Sequence, residues 1–128
     1  MVVPDNVERR IADATLVAQL GTCVDGTPHI AHLWYRYDDG NIEIVTTGQK
    51  LANIRRNPSV VLGIHSADDD GMPEWHASLF GTATIVEDDE ESRAGRHRIH
   101  RKYGIDEDAF PENQLVRIEI VRVSFEEF

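Results

Sequence analysis

The stretch TTGQKLANIRRNPSVVLGIHS, residues 46 to 66, contains the transition on which the fold prediction depends. A threonine pair and a glycine precede a short amphipathic run, in which Leu51 and Ile54 have helical spacing. Pro58 ends that run and an apolar strand follows. The stretch therefore predicts the end of a strand, a short helix at about 49 to 56, and a further strand.

Lys50 has the clearest chemical implication in this stretch. It stands at the start of the predicted helix, where the first-turn N–H groups lack partners and carry the positive end of the helix dipole. With the hydroxyls of Thr46 and Thr47 and the permissive backbone of Gly48, its ammonium forms a candidate phosphate site. The same pattern also fits a solvated lysine beside an ordinary threonine cap, so the local sequence leaves both interpretations open.

The residues before this stretch predict antiparallel strands joined by tight turns. Asp-Gly pairs occur at 25–26 and 39–40 between β-rich runs. Both central positions of a type I′ hairpin turn need positive φ, which these residues tolerate. We expect a three-stranded meander with strands near 16–24, 28–37 and 42–47.

The end of this stretch and the residues after it predict three more strands and a helix. The apolar run SVVLGIHS indicates a strand buried on both faces, and Gly81 within HASLFGTATIVE indicates a bend or the close approach of another group. Asp88 and Glu91 have the spacing of a capping box at the start of a helix. The last strand changes its apolar phase near Ile120 and Val121, which predicts a β-bulge.

These elements predict a mainly β fold with short helices. At the N-terminus, Asp5 is a candidate N-cap with Glu8 in the capping-box position, so a short helix is expected there. Six short strands in one chain favour a six-stranded antiparallel barrel, because closure removes exposed strand edges. The length favours a single domain over residues 1–128.

Composition excludes several classes of function. The net charge is −10, from 23 acidic and 13 basic side chains, which disfavours binding to nucleic acid or anionic lipid. Acidic runs at 68–70 and 87–91, with lysine only at positions 50 and 102, are typical of proteins from salt-loving organisms. No apolar run approaches the roughly 20 residues of a membrane helix, and no signal-peptide pattern opens the sequence. We therefore expect a cytoplasmic protein that binds no membrane.

Cysteine and histidine give little support for a metal site. Cys23 is the only cysteine, so an intrachain disulfide is impossible, and a buried thiol is expected. His29 and His32 fall on opposite faces of one predicted strand. His97 and His100 share a helix face but lack a third ligand. We expect no bound metal.

The segment DGTPHIAHLWYRYDDGNIEIVTTGQKLANIRRNPSVVLGI, residues 25 to 64, resembles the pyridoxamine 5′-phosphate oxidase-like family of flavin-binding split barrels. The similarity extends from about residue 8 to 125, and the K-x-x-N-h-x-x-N-P element is its most specific part. The resemblance implies a split barrel that forms a homodimer, with flavin mononucleotide (FMN) in a groove shared by the two subunits. The family also includes members that use the deazaflavin coenzyme factor 420, so this coenzyme is the alternative to FMN.

The same resemblance implies a set of cofactor-binding residues. It assigns Lys50 and Gln49 to the flavin phosphate, although many relatives have arginine in place of Gln49. It assigns the end of the strand before them to the ribityl chain and ring, and the preceding strand to the pyrimidine edge. The full set is His29, Ile30, Ala31, His32, Leu33, Trp34, Val45, Thr46, Thr47, Gln49 and Lys50.

Pyridoxamine phosphate oxidation itself is not expected. His29 stands where the true oxidases have a flavin-binding arginine, and Trp34 stands where they have a lysine that binds the vitamin phosphate. Their C-terminal Arg-x-His signature is also absent from RIEIVRVSFEEF.

The sequence thus supports one leading function and two competitors. The first is a flavin- or deazaflavin-dependent oxidoreductase acting on a small organic substrate, in which the cofactor supplies the redox chemistry and no protein residue is identified as catalytic. The second is a non-catalytic flavin-binding, sensor or stress protein on the same barrel. An oligonucleotide-binding barrel is a weaker third possibility, because the sequence lacks the expected basic, aromatic groove.

Overall fold

The computed structural model describes residues 2 to 128, in which a curled antiparallel sheet is accompanied by three helices. None of these helices is long and apolar enough to cross a membrane. In chain order the elements are α1 (Asp5–Ile11), β1 (Ala18–Val24), β2 (Thr27–Leu33), β3 (Tyr35–Asp38), β4 (Asn41–Thr46), α2 (Gly48–Arg56), β5 (Ser59–Ala67), β6 (Pro73–Ile85), α3 (Asp89–Lys102) and β7 (Gln114–Glu127).

The mainly β fold is confirmed, but the described residues form seven strands rather than six. The order in the sheet is β2-β1-β5-β6-β7-β4-β3. The predicted three-stranded meander is wrong, because its middle strand is interrupted at Trp34. The first half of that strand pairs with β1 and the second half with β4. The meander is therefore two hairpins at opposite edges of the sheet.

The interruption at Trp34 brings the two sheet edges together. β2 and β3 are the edge strands, and this one residue connects them. The connection is held from the end of α3, where Lys102 Nζ donates to the carbonyl of Tyr35 at 3.0 Å and lies 3.8 Å from the centre of its ring. The Tyr103 hydroxyl donates to the carbonyl of Leu16 at 2.6 Å. The sheet consequently curls into a split barrel.

The Lys102 ammonium is held without a carboxylate partner among the described residues. Burial lowers its pKa to about 8, the charge of Arg36 acts in the same direction, and that of Asp13 opposes it. The half-buried amine thus stabilises the crossing by its hydrogen bond and by contact with aromatic rings rather than by an ion pair.

The predicted turns are confirmed. Asp25 and Gly26 have φ of 51° and 79°, and Asp39 and Gly40 have φ of 46° and 86°. Both Asp-Gly pairs therefore form turns with positive φ at both central positions, as the type I′ geometry requires.

The β-bulge and the close approach at Gly81 are also confirmed. Gly81 pairs with Ile120 and the preceding Phe80 pairs with Arg122, so Val121 is the extra residue. A side-chain carbon at Gly81 would lie only 2.3 Å from the carbonyl oxygen of Glu119. Glycine is therefore required where β7 bends across β6.

The prediction that the fourth strand is buried on both faces is wrong for the single chain. In β5, the side chains of Val60, Leu62 and Ile64 are buried in the barrel. Val61, between the first two, is only half-buried on the outer face. The alternation shows that none of the helices in the described residues covers the outer face of β5.

The structure confirms one of the two predicted helix N-caps. The Asp88 carboxylate accepts a hydrogen bond from Glu91 N at 2.9 Å and caps α3. At α1 the expected Asp5 cap is wrong, because Pro4 is the N-cap residue and Asp5 lies in the first turn. The expected burial of Cys23 is also wrong, since its side chain is exposed on β1.

Two apolar clusters hold the fold. The main cluster fills the barrel with residues such as Leu20, Ile44, Leu62 and Leu79. The smaller one lies under α3 and joins Val45, Val86, Ile99 and Leu115. The second cluster places the C-terminal half of α3 over the outer face of β4 and β7.

An ion network closes the edge of this helix–sheet contact. The Glu43 side chain on β4 is only 6% exposed and pairs at 3.1 Å with each of Arg36 on β3, Arg98 on α3 and Arg117 on β7. Burial alone would raise the pKa of Glu43, but hydrogen bonds from Arg98 and Arg117 outweigh it and lower the pKa. One carboxylate therefore links three strands to the helix.

Replacing Glu43 tests this link. Glu43→Gln leaves three guanidinium groups around a neutral amide, and we expect the free energy of unfolding to fall by about 2 kcal/mol at pH 7, a value reduced for the partial exposure of the arginines. Because the folded pKa is lowered, the wild-type advantage is complete above about pH 4.5 and is lost as the pH falls through the folded value. Urea unfolding between pH 7 and 3 measures both effects.

The exposed variant Glu119→Gln is the matched control, because Glu119 also lies in the sheet but forms no salt bridge in the described part of the chain. Equal losses in the two variants, or a difference that does not change with pH, would contradict the assigned role of Glu43.

Candidate functional site

A cleft of about 330 Å³ opens where the two sheet edges meet. Its walls come from four parts of the chain: the approach to β1, the end of β2 with the crossing residue, the end of β4 with the first turn of α2, and the loop between α3 and β7. The lining residues are Val17, His32, Leu33, Trp34, Val45, Thr46, Lys50, Phe110 and Asn113.

The strand register explains why these distant segments meet. Thr46, the last residue of β4, pairs with Gln114, the first residue of β7. This pairing places Asn113 and the loop before it beside the start of α2. Trp34 reaches the same place because it crosses between the two edges.

The Thr46 hydroxyl lacks a partner. The residue is only 3% exposed, and its Oγ1 has no hydrogen-bond partner among the described residues. A buried hydroxyl without a partner is unfavourable, and such groups are rare in native proteins. Thr46 also lines the cleft, so its unpartnered hydroxyl lies buried in the cleft wall.

Lys50 is a half-buried cation in the wall of the same cleft. The neighbouring cations of α2 are neutralised, Arg55 by Glu87 at 2.9 Å and Arg56 by Asp25 at 3.0 Å. No salt bridge within residues 2–128 involves Lys50. In a chain with a net charge of −10, this cation is therefore available to an anionic ligand.

The start of α2 is arranged to leave its amides open. Gly48 has φ of 65°, and the Thr47 side chain makes no capping hydrogen bond. A helix start without a side-chain cap keeps first-turn N–H groups for another acceptor. The ammonium of Lys50, two residues into the helix, thus has neighbouring backbone donors.

The asparagine of the K-x-x-N element has a structural role. Asn53 Nδ2 donates to Thr22 Oγ1 on β1 at 3.1 Å, and Asn53 Oδ1 accepts from Gln49 Nε2 at 2.6 Å. These bonds fix α2 on the barrel. Gln49 is thereby turned to an exposed position beside Asn53 rather than into the cleft.

Trp34 forms the aromatic wall of the cleft with three neighbouring rings. It stacks on Tyr103 with the ring centres 5.8 Å apart, and it meets His100 edge-on at 5.8 Å. Phe110 approaches it from the loop at 5.9 Å. Burial raises the pKa of Tyr103, with a partly opposing effect of its hydrogen bond to Tyr35. The tyrosine therefore acts here as a neutral hydrogen-bonding group.

The structure brings together six of the eleven residues assigned by family resemblance and separates the other five from them. His32, Leu33, Trp34, Val45, Thr46 and Lys50 line the cleft. His29 and Ile30 instead line a second concavity of about 580 Å³ on the outer face of the sheet. Ala31, Thr47 and Gln49 line neither surface. Cofactor binding by any of these residues stays a prediction.

Three lining residues were missed by sequence reasoning. Val17 precedes β1, and Phe110 and Asn113 belong to a loop 60 or more positions after Lys50. Only the strand pairing of Thr46 with Gln114 brings that loop to the cleft. The Asp/Pro-rich composition of the loop indicated irregular structure but gave no signal of its position.

Metal ligation has no support in residues 2–128, where no three histidine, cysteine, aspartate or glutamate side chains are placed to share an ion. His97 and His100, which share a helix face, have other contacts. His100 Nδ1 lies 3.1 Å from the carbonyl of Asp106 and 3.2 Å from that of Glu107. Because carbonyls only accept, this nitrogen carries the proton.

Comparison with known proteins agrees with this architecture. The sequence profile of a family described as Pyridoxamine 5′-phosphate oxidase matches residues 4–127. No curated protein matches the chain.

Among solved structures, the chain is similar to a protein described as F420 Reductase, with a TM-score of 0.78 and 24% identity over 95% of this chain and 98% of the other. It is similar to a conserved hypothetical protein from Mycobacterium tuberculosis, with a TM-score of 0.80 and 25% identity over 99% and 86% of the two chains. HutZ, a heme storage protein from Vibrio cholerae, has a TM-score of 0.77 and 14% identity over 99% and 95%. One fold thus occurs in proteins described by different functions.

Two threonines of equal burial test the assignment of Thr46. Thr46 and Thr22 are 3% and 4% exposed, but only Thr22 has a partner, the Asn53 amide. We expect Thr46→Val to raise the unfolding free energy of the ligand-free protein by about 1 kcal/mol, since it removes an unpaired hydroxyl. Thr22→Val should lower it by about as much. Urea unfolding of both variants measures the difference, and shifts of the same sign would contradict the assignment.

Proposed function

The chain belongs to the pyridoxamine 5′-phosphate oxidase family, and from this premise we propose that it is a flavin-dependent oxidoreductase that binds FMN in the cleft. The observation that carries the proposal is the unpaired ammonium of Lys50 beside the unpartnered hydroxyl of Thr46. We infer that a phosphorylated, hydroxylated ligand pairs with Lys50 and, once the Thr46 side chain rotates its buried hydroxyl into the cleft, with Thr46.

The proposed site divides into a phosphate part and a ring part. Lys50 and the first amides of α2 receive the phosphate, and Thr46 donates to the ribityl chain. The end of β2, from His32 to Trp34, lies under the ring, where backbone groups can bond to its polar edge. The aromatic and aliphatic walls limit access of water.

When bound, the flavin supplies the redox chemistry by accepting and releasing a hydride or electrons. The residues of this chain hold the cofactor, orient the substrate beside its ring and shield both from water. None of them is assigned as a catalytic acid or base. A deazaflavin, factor 420, is the alternative cofactor, and the similarity to an F420 reductase is the reason to include it in the titrations.

We further propose that the functional unit is a homodimer. The cleft of about 330 Å³ is at the low end for a ligand site, and such sites enclose most of their ligand. A partner subunit that closes the open side of the cleft would complete the enclosure.

The outer face of the sheet fits a second copy. Ile30, Gly21, Val61 and Phe80 are aligned across four adjacent strands, so the side chains of Ile30, Val61 and Phe80 share that face. Ile30 is 68% exposed and Arg122 lies 3.7 Å from the centre of the Phe80 ring. An apolar centre with a polar rim is typical of a protein interface.

A second candidate function is passive flavin binding. It is favoured by the cleft itself, whose described lining contains only two ionisable side chains, His32 and Lys50. Anaerobic reduction of the flavin-loaded protein, followed by addition of electron acceptors, separates the two functions. Rapid reoxidation that saturates with one acceptor supports the enzyme, and reoxidation no faster than that of free FMN supports the passive role.

The phosphate assignment of Lys50 gives a specific binding prediction. We expect Lys50→Gln to weaken FMN binding about tenfold, because one charge-assisted contact to the phosphate is lost. Binding of riboflavin, which has the ring and ribityl chain but no phosphate, should stay within about twofold of wild type. Fluorescence titration of the flavin measures both dissociation constants.

Arg56→Gln serves as the control, since it removes an equal charge from the same helix at a residue paired with Asp25 outside the cleft. The proposal fails if wild-type protein binds neither FMN nor the deazaflavin. Equal loss of FMN and riboflavin in Lys50→Gln would contradict the phosphate role alone.

Dimer formation gives a separate prediction. Ile30→Asp introduces a charge into the centre of the outer face, and we expect the protein to become monomeric and to bind FMN more weakly. Met72→Asp, at a loop residue of similar exposure, should leave the dimer intact. Analytical ultracentrifugation measures the mass. A wild-type protein that sediments as a monomer at all concentrations would overturn the proposed dimer.

A further inference from the structure

Phe110 has an unfavourable backbone conformation and an exposed ring. Its φ is 51°, in the left-handed region that a bulky side chain rarely adopts. Its side chain is 48% exposed, so the burial of its ring offsets only part of the free-energy cost of this backbone conformation. Backbone strain of this kind occurs preferentially at functional sites. Phe110 lines the cleft, which makes a ligand the natural partner for its ring.

The loop holds Phe110 in place through contacts with α3. Arg96 Nη1 donates to the carbonyls of Pro111 and Asn113 at 3.4 and 3.3 Å. The fully buried His100 donates to the carbonyls of Asp106 and Glu107, which precede Phe110 in the loop. Asn113 N donates to the carbonyl of Phe110 itself at 3.0 Å. The strained residue is thus fixed on both sides by the helix.

The surroundings of Phe110 are suited to a flat ring. Its ring lies edge-on to Trp34, at an angle of 62°, and Trp34 stacks on Tyr103 behind it. Val17 and Leu33 add aliphatic surface to the same cleft. Aromatic edges and faces placed in this way favour another aromatic ring over a saturated one, because the ring quadrupoles interact directionally.

We propose that Phe110, together with Trp34, forms a subsite that binds the planar conjugated ring of the substrate. The subsite defines a substrate class for the proposed oxidoreductase. It rests on the proposed function only in that FMN is taken to bind beside it. Phe110 acts here by contact with the substrate ring and determines specificity. It takes no part in proton or electron transfer.

The distribution of polar groups supports the separation of this subsite from the phosphate site. Lys50 and Thr46 lie at the β4–α2 junction, whereas Phe110 is presented by the α3–β7 loop. None of the charged side chains of that loop, which are Asp106, Glu107, Asp108 and Glu112, lines the cleft. The Phe110 wall is therefore uncharged, as a neutral conjugated ring requires.

The experiment uses 2-naphthol as the planar probe and decahydro-2-naphthol as its saturated counterpart. Isothermal titration gives their dissociation constants for the protein with and without saturating FMN. We expect 2-naphthol to bind wild type about fivefold more tightly than the saturated probe, and Phe110→Ala to weaken 2-naphthol binding by a similar factor. FMN binding should weaken less than 2-naphthol binding does, and the exposed Phe128→Ala is the control variant.

A pair of variants separates binding from folding. Phe110→Ala and Phe110→Gly both remove the ring, but only glycine accepts the positive φ without strain. We expect both to lose 2-naphthol binding equally, while Phe110→Gly melts about 4 °C above Phe110→Ala. A ring that served only the fold would instead give variants with unchanged probe binding.

Three outcomes would overturn the proposal. They are unchanged 2-naphthol binding in both variants, equal binding of the two probes to wild type, and a loss of FMN binding as large as the loss of 2-naphthol binding. Wild-type protein that binds 2-naphthol through Phe110 but binds no flavin would support the subsite and reject the proposed cofactor. The two proposals therefore fail in distinguishable ways.

Discussion

The connection of two sheet edges by one residue constrains the rest of the structure. β2 and β3 are neighbours in sequence but lie at opposite ends of the seven-strand order, so the sheet must curl until Trp34 can join them. The curl removes the open edges that would otherwise pair with other chains. It also leaves an opening at the junction, because a single residue cannot complete the hydrogen-bond ladder there. The cleft lies at this opening and follows from the topology.

Helix α3 converts this opening into a defined site. On the sheet side, Arg98 shares the buried Glu43 carboxylate with strands β3 and β7. On the loop side, Arg96 and His100 hold the carbonyls of the segment that carries Phe110. The helix is itself fixed at its start by Asp88 and at its end by the contacts of Lys102 and Tyr103 with the crossing. Contacts within the protein thus position the walls of the cleft without a ligand, and such preorganisation reduces the entropy lost on binding.

The sequence predicted features determined by neighbouring residues better than features determined by strand order. The Asp-Gly turns, the Asp88 cap and the bulge at Val121 depend on a few adjacent residues, and all three were predicted correctly. The meander was wrong because a continuous β-rich run from 28 to 37 does not show that its halves pair with different strands. The burial of β5 was misjudged because apolar residues on an uncovered sheet face resemble core residues in the sequence. In the candidate site, Lys50 was identified from its helix start, whereas Phe110 and Asn113 required the long-range pairing of β4 with β7.

The distribution of unsatisfied groups distinguishes this cleft from the rest of the surface. In the described part of the chain, buried side-chain atoms without a hydrogen-bond partner include Thr46 Oγ1 in the cleft wall, and Arg96 Nε and His100 Nε2 on the helix that holds its loop. The strained backbone of Phe110 and the unpaired Lys50 belong to the same region. Elsewhere in the described residues, comparable buried polar groups have partners. Thr22 Oγ1 accepts a hydrogen bond from the Asn53 amide, and the Glu43 carboxylate pairs with three arginines. Local costs that collect at one place in an otherwise consistent structure are typical of functional sites, which is the reason to place the proposed ligand here.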